Sequence, residues 1–332
     1  MRYTVSASPH VRAKDTVSSL MGDVIIALIP SLIAACVLYG IDALVLIFVC
    51  VVSCVAFEAL FQKIAKKAIT VSDFSAVITG LLLAFNLPST LPLWMAIVGS
   101  FFAIVVCKQL FGGIGQNFIN PAIGGRVFLL VSFSSAMTSW VEPLTYSEVD
   151  AVSTATPLSV LSSIDFSGDV SSQLDSLSLP TLWEMFLGLR GGCLGEGCAL
   201  AILIGFVYLL CRRVIKPWIT LSYVGTVAIF MLIASGGSLE FTAYELLSGG
   251  LLLGACFMAT DYVTSPISLK GKIIFGIGCG LLTCVIRLFG SLPEGVSYSI
   301  MLMNILVPHI DTLTRPHPFG FVKEKKKKED AA

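Results

Sequence analysis

Ten apolar runs, each long enough to cross a bilayer, constrain this chain more than any motif in it. They cover roughly residues 23–40, 42–61, 70–87, 91–109, 124–140, 183–211, 218–236, 243–260, 271–289 and 295–310. A hydrocarbon core near 30 Å takes about 20 apolar residues of helix. Inside it every backbone N–H and C=O must be paired within the protein, and runs of this length meet that demand only as α-helices. Composition agrees, with 56% hydrophobic and 13% charged residues among 332 and a mean hydropathy of +0.90. A soluble fold of this length could not cover its surface with so few polar groups. The expected fold is an all-α polytopic membrane protein of about ten transmembrane helices.

Orientation follows from the cations, because Lys and Arg favour cytoplasmic loops. With the N-terminus inside, 19 of the 21 Lys and Arg residues, Lys108 and Arg126 among them, fall on that side; Arg190 and Arg287 do not. Both termini are then cytoplasmic, and the basic run Lys323-Glu-Lys-Lys-Lys-Lys328 anchors the last one. Residues 141–182 carry six acids, many serines and no Lys or Arg. They form the one long extracytoplasmic loop, between a first five-helix half (23–140) and a second (183–310), with short cytoplasmic segments at 1–22 and 311–332. Thr79-Gly-Leu-Leu-Leu echoes Gly249-Gly-Leu-Leu-Leu, and Leu110-Phe-Gly-Gly echoes Leu288-Phe-Gly-Ser. Copies five helices apart must point in opposite directions, so the halves read as an inverted repeat, the arrangement in which transporters build sites on broken helices.

Polar residues inside apolar runs mark candidate sites. Glu58 and Arg287 each cost about 2.5–3.5 kcal/mol at mid-membrane unless they find a partner, a cavity or an interface. Glu58 either snorkels towards Lys63 or belongs to an ion path. Arg287, and Arg190 likewise, meets either an acid or a ligand phosphate. Asp261 ends a small-residue helix as a boundary charge or as part of an ion path. Asn117 and Asn120, in the Gly- and Pro-broken stretch 112–121, either satisfy the backbone that Pro121 frees or present amides to a ligand. The ten cysteines lie mostly in apolar runs without CxxC spacing and read as buried small hydrophobes. Zero net charge argues against nucleic acid as a partner. The three histidines are too scattered to hold a metal, and no P-loop or dinucleotide fingerprint is present. The first twenty residues do not read as a cleavable signal.

The loop begins with a hydroxyl cluster, Asp150-Ala-Val-Ser-Thr-Ala-Thr-Pro-Leu158. Taken alone it is a helix cap or a turn. It also resembles the flavinylation motif of the NqrB/RnfD family, membrane subunits of ion-translocating electron-transport complexes. Asp150, Ser153, Ala155 and Thr156 match that motif, and Thr154 stands where glycine is usual. Lys108-Gln-Leu-Phe-Gly-Gly-Ile-Gly-Gln-Asn-Phe-Ile-Asn-Pro-Ala122, Leu194-Gly-Glu-Gly-Cys-Ala-Leu-Ala201, Phe257-Met-Ala-Thr-Asp-Tyr-Val-Thr-Ser-Pro266, Pro293-Glu-Gly-Val296 and the opening Ser8-Pro-His10 are similar to the family's signatures, in its order. The short N-terminus resembles the RnfD branch.

The resemblance implies FMN esterified to Thr156 by a flavin transferase that recognises Asp150 and Ser153. It implies a second, non-covalent flavin such as riboflavin at Asn117 and Asn120. It further implies an inner-membrane subunit of a ferredoxin:NAD+ oxidoreductase, not catalytic alone, coupled to Na+ or H+ movement. Its partners would be the other Rnf subunits (C, G, A, E and B types), above all the extracytoplasmic flavoprotein. On residue pattern alone, a solute or ion permease with an inverted-repeat fold is the competing function.

Overall fold

The computed structural model describes residues 16–144, 155–290 apart from 165, 167, 169 and 178, and 294–315. Asp150, Ser153, Ser8-Pro-His10, Pro293 and the basic tail lie outside them. The described chain is helical without strands. Its helices are α1 (Val17–Ile64), α2 (Ser75–Phe85), α3 (Leu93–Gln109), α4 (Pro121–Ser132), the short α5 (Ser134–Met137), α6 (Pro157–Leu161), α7 (Val170–Ser176) and α8 (Leu182–Leu187), then α9 (Ala199–Cys211), α10 (Trp218–Ala234), α11 (Leu239–Leu247), α12 (Leu251–Met258), α13 (Leu269–Phe289) and α14 (Val296–Thr314). Among the described residues, three helices are long and apolar enough to cross a membrane. A fourth joins them if α11 and α12, bent by 67°, are one span.

The first two apolar runs meet as one 48-residue helix, α1, with Pro30 inside it and a break at Gly40. Gly40 has φ 68° and ψ −148°, outside any helical region and disfavoured for a residue with a Cβ. The arms fold back on each other there. Met21 of the first arm lines the same cavity as Lys108, and Lys108 Nζ bonds Glu58 of the second arm at 2.9 Å. In a straight helix, positions 21 and 58 would stand about 55 Å apart at 1.5 Å rise per residue.

Two helices loosen into π-helical turns, over Phe102–Gln109 at the end of α3 and over Gly254–Met258 in α12. Such turns leave carbonyls without their usual partners, and the Thr220 hydroxyl of α10 takes the Ala255 carbonyl at 2.8 Å. The fifth run, expected over 124–140, ends as a helix at Ser132. There Phe133 (φ −134°, ψ 51°) breaks the pattern before the four-residue α5.

The sixth run is broken over residues 188–198, and the backbone of the break is satisfied inside the protein. Leu194 and Gly195 N–H donate to the carbonyls of Leu87 (3.1 Å) and Phe85 (2.9 Å) at the C-terminal end of α2. The Tyr39 hydroxyl lies 3.3 Å from the carbonyls of both Arg190 and Gly192. Irregular backbone within an apolar fold is tolerated on these terms.

The two ends of the chain's core carry like-built ion pairs. Glu58, in Ala56-Phe57-Glu58, takes hydrogen bonds from Lys108 and Gln109, which precede Leu110-Phe111-Gly112. Glu245, in Ala243-Tyr244-Glu245, takes one from Arg287, which precedes Leu288-Phe289-Gly290.

Gly195 is held against α2 so closely that a Cβ there would stand 2.3 Å from Phe85 Cβ. Gly195→Val should therefore lower the melting temperature of the detergent-solubilised chain, at a cost of about 1–3 kcal/mol for overpacking. Gly225→Ala, at a position with open space, should leave it unchanged in the same thermal scan.

Candidate functional site

Two clusters of polar side chains inside this apolar fold line cavities. The first is a cleft around Thr156. Thr156 is the N-cap of α6, where Pro157 at the first helical position fixes the entry of the chain. Its side chain accepts a hydrogen bond from Ser159 N–H at 3.2 Å and is 9% exposed. The cleft is shared by Arg190 and Glu196 of the 188–198 break, by Gly249 between α11 and α12, and by Glu294 just before α14. Separate stretches of sequence thus meet at one hydroxyl. Ala155 beside it is exposed.

The acids of this cleft are held by Arg126 of α4, which is 3% exposed. Its guanidinium bonds Glu196 at 3.1 Å, Asn86 Oδ1 at 2.6 Å and, through its other terminal nitrogen, the Glu294 carboxylate. Burial pushes the Glu294 carboxyl above its ordinary range, and the Arg126 charge opposes that shift. Cys193, Glu196 and Glu294 also present ligand atoms within 4.8 Å of one another. Arg126 already bonds both carboxylates, so the trio is explained without a metal. Arg126 is consequently no loop cation, and neither is Lys108, which is buried at 3%. Neither is the solvated cation that a count by position assumes, because each is drawn inward by an acid distant in sequence.

The second place is a cavity with about 100 Å³ of free space that brings Asn117, Asn120, Lys108 and Asp261 together. Asn120 caps α4 by accepting from Ala122 N–H (3.0 Å), and its amide nitrogen donates to the Met258 carbonyl (3.2 Å). Asn117 donates to the Ile119 carbonyl at 3.4 Å. Both amides thus satisfy backbone groups, of the 112–121 break, of the start of α4 and of α12, and both line a cavity. Asp261 accepts from the Thr264 hydroxyl at 3.0 Å.

A polar band connects the two places. Asn120 donates to the Met258 carbonyl, Asn86 meets the Met258 sulfur at 3.4 Å, and Arg126 meets Asn86. Sequence reasoning missed Arg126, Asn86 and Glu294 as site residues. A signal was there for one of them: Pro293-Glu-Gly, like Leu194-Gly-Glu, carries an acid inside a stretch already singled out by its resemblance to the family's signatures.

For two charges the structure selects among the alternatives that the sequence left open. Glu58, 1% exposed, does not reach towards Lys63; Lys108 bonds both its oxygens at 2.9 and 3.0 Å, and Gln109 adds a bond at 2.7 Å. The Arg287 guanidinium is taken up by the Glu245 carboxylate and carbonyl, at 2.7 Å each, and by the Ser248 carbonyl at 3.1 Å. It lies beside Gly249 of the cleft rather than being offered to a ligand.

Removing one partner of such a buried pair strands the other charge, at a cost of about 3–5 kcal/mol. Lys108→Met alone should strongly destabilise the chain, whereas Lys108→Met with Glu58→Gln should recover most of the loss. Thermal unfolding of the three proteins in one detergent measures both.

Comparison with known proteins places this architecture. The chain is 49% identical to the D-type component of the Na(+)-translocating ferredoxin:NAD(+) oxidoreductase complex of Acetobacterium woodii over 329 residues, 98% of each chain. It is 43% identical to the D-type component of the proton-translocating ferredoxin:NAD(+) oxidoreductase complex of Clostridium ljungdahlii, over 96% of each. It is 34% identical to the D-type component of the ion-translocating oxidoreductase complex of Escherichia coli, covering 97% of this chain and all of that one. Residues 4–320 match the NQR2, RnfD, RnfE family, and the chain belongs to it.

Proposed function

We propose that this chain is the flavin-carrying membrane subunit of an ion-translocating ferredoxin:NAD+ oxidoreductase. FMN is tethered to Thr156 by a phosphoester, and a second, non-covalent flavin occupies the amide cavity beside Asn117 and Asn120. The observation that carries this reading is the placement of Thr156. A threonine hydroxyl buried where separate stretches meet, in a cleft that holds a guanidinium, is more than a five-residue helix needs from its cap.

The residues fit such a group. The cleft sets Arg190 beside the Thr156 hydroxyl, a donor suited to a phosphate on that oxygen, with the isoalloxazine outside it. The amide cavity has about 100 Å³ of free space. Asn117 and Asn120 offer it both donors and acceptors. When bound, a flavin supplies one- and two-electron redox chemistry; the protein supplies placement, exclusion of water and fixed charge. Arg126 holds a positive charge between the two sites, and Lys108 with Glu58 closes one wall of the inner one.

By this reading the chain sits in the inner membrane with both termini cytoplasmic and Thr156 on the outer side. It passes electrons between an extracytoplasmic flavoprotein subunit and cofactors in the membrane. The remaining subunits handle ferredoxin and NAD+, and a flavin transferase loads Thr156. The ten apolar runs form an inverted repeat, to which the like-built pairs at Glu58 and Glu245 lend support. Relatives named for Na+ and for protons are 49% and 43% identical to this chain, so either ion is compatible with the bulk of the sequence. A permease would need a continuous route, and among the described residues the Arg126 ion pairs stand across the band that joins the two cavities.

In-gel flavin fluorescence of the denatured polypeptide, co-expressed with a flavin transferase, tests the tether. The wild-type band should fluoresce and the Thr156→Val band should be dark. A dark wild-type band beside a transferase of demonstrated activity overturns the proposal.

A further inference from the structure

Arg190 stands apart from the other buried cations of this fold. It lies in the irregular 188–198 segment and is 5% exposed. Lys108, Arg126 and Arg287 each meet a carboxylate within 3.1 Å. Among the described residues, no carboxylate comes within 4 Å of the Arg190 guanidinium. Its one hydrogen bond there goes to a neutral group, the Glu196 carbonyl, at 3.0 Å. The Glu196 carboxylate is turned to Arg126 instead.

A guanidinium taken out of water without a counter-ion costs several kcal/mol, and a fold keeps one there only where an anion completes it. Arg190 lines the Thr156 cleft, followed at once by Gly191 and Gly192, which put no side chain into it. The cleft's two acids, Glu196 and Glu294, are both bonded to Arg126. Among the described residues, Arg190 is the charge bordering the opening beside Thr156 that no carboxylate contacts, and it is positive.

We propose that Arg190 anchors a phosphoryl-anion site in the Thr156 cleft, and that its occupant is the phosphate ester carried on Thr156. The inference rests on the tether reading for its occupant but not for its existence. The planar fork of an arginine takes two oxygens of a phosphate at once, which fixes direction as well as position. Arg190 is a positioning residue: it holds the ester's phosphate and so aims the chain that leaves it. A free phosphate or a lipid phosphate would offer the same oxygens.

The test uses the full chain, purified with and without an active flavin transferase, as wild type, Arg190→Gln and Arg190→Lys. Flavinylation should raise the melting temperature of the wild type. The gain should vanish in Arg190→Gln and persist in part in Arg190→Lys, which keeps the charge and guards against a folding defect. An equal gain in wild type and Arg190→Gln overturns the proposal. Titration of the unflavinylated chain with inorganic phosphate separates the site from the tether. The wild type should shift upward in melting temperature, and Arg190→Gln should need at least about tenfold more phosphate, the loss expected for a charge-assisted pair. If the wild-type band is dark in the gel but this phosphate shift is seen, the tether fails and the anion site stands. Phosphorus analysis of solvent extracts then tells whether a lipid phosphate fills it. If phosphate shifts neither protein, or both alike, the anion site fails.

Discussion

Each charge that this chain buries in an ion pair is answered by a side chain far away in sequence, and that demand organises the rest of the fold. Glu58 and Lys108 are 50 residues apart, Arg126 and Glu196 70, Arg126 and Glu294 168. Apolar packing against lipid-like surroundings does not choose one neighbour over another, since hydrocarbon tails are as apolar as Leu. A buried ion pair does choose, because a misplaced partner strands a charge at several kcal/mol. The pairs thus set which helices meet and in what register. The hairpin at Gly40 follows from one of them, since Glu58 must come back to the level of Met21 to reach Lys108.

Helix positions were legible in the sequence because they depend on local composition. Each of the ten apolar runs contains helix, and the breaks at Gly40, at 112–120 and at 188–198 fall at glycines or beside a proline that the sequence displays openly. The end of the fifth run was misjudged because nothing in Ser132-Phe133-Ser134 is a strong helix breaker; the kink is a tertiary effect. Charges were harder. Counting Lys and Arg by position treats each cation as solvated, and Arg126 is not, because it reaches Glu196 and Glu294 across the fold. Periodicity carries no information about such a pairing.

The candidate site divides in the same way. Asn117 and Asn120 could be read together because they are three residues apart, one turn of helix, beside a proline that leaves backbone to be satisfied. The Thr156 cleft could not be assembled from sequence. Its members come from α6, the 188–198 break, the α11–α12 bend and the start of α14, and only the hydroxyl carries a local pattern. Arg190 is the clearest instance. In the sequence it is one of two cations outside the cytoplasmic set, with an acid six residues on as the obvious partner. In the fold that acid belongs to Arg126, and the apparent pair dissolves.

The band between the two cavities limits what can pass along it. Asn86, Met258 and Asn120 offer amide, thioether and carbonyl groups, none of which gains or loses a proton at ordinary pH, and Arg126 stays protonated throughout. Such a row keeps the two sites in fixed electrostatic contact but does not relay protons. On the proposed function, electrons would cross where protons cannot, and the fixed charge of Arg126 would favour added negative charge at either end. Ion movement would then follow another route, and coupling would depend on a change of charge at one site being felt by groups that do titrate. Glu294 is placed for that role: it borders the Thr156 cleft, is held by Arg126, and is already pushed by burial towards its neutral form.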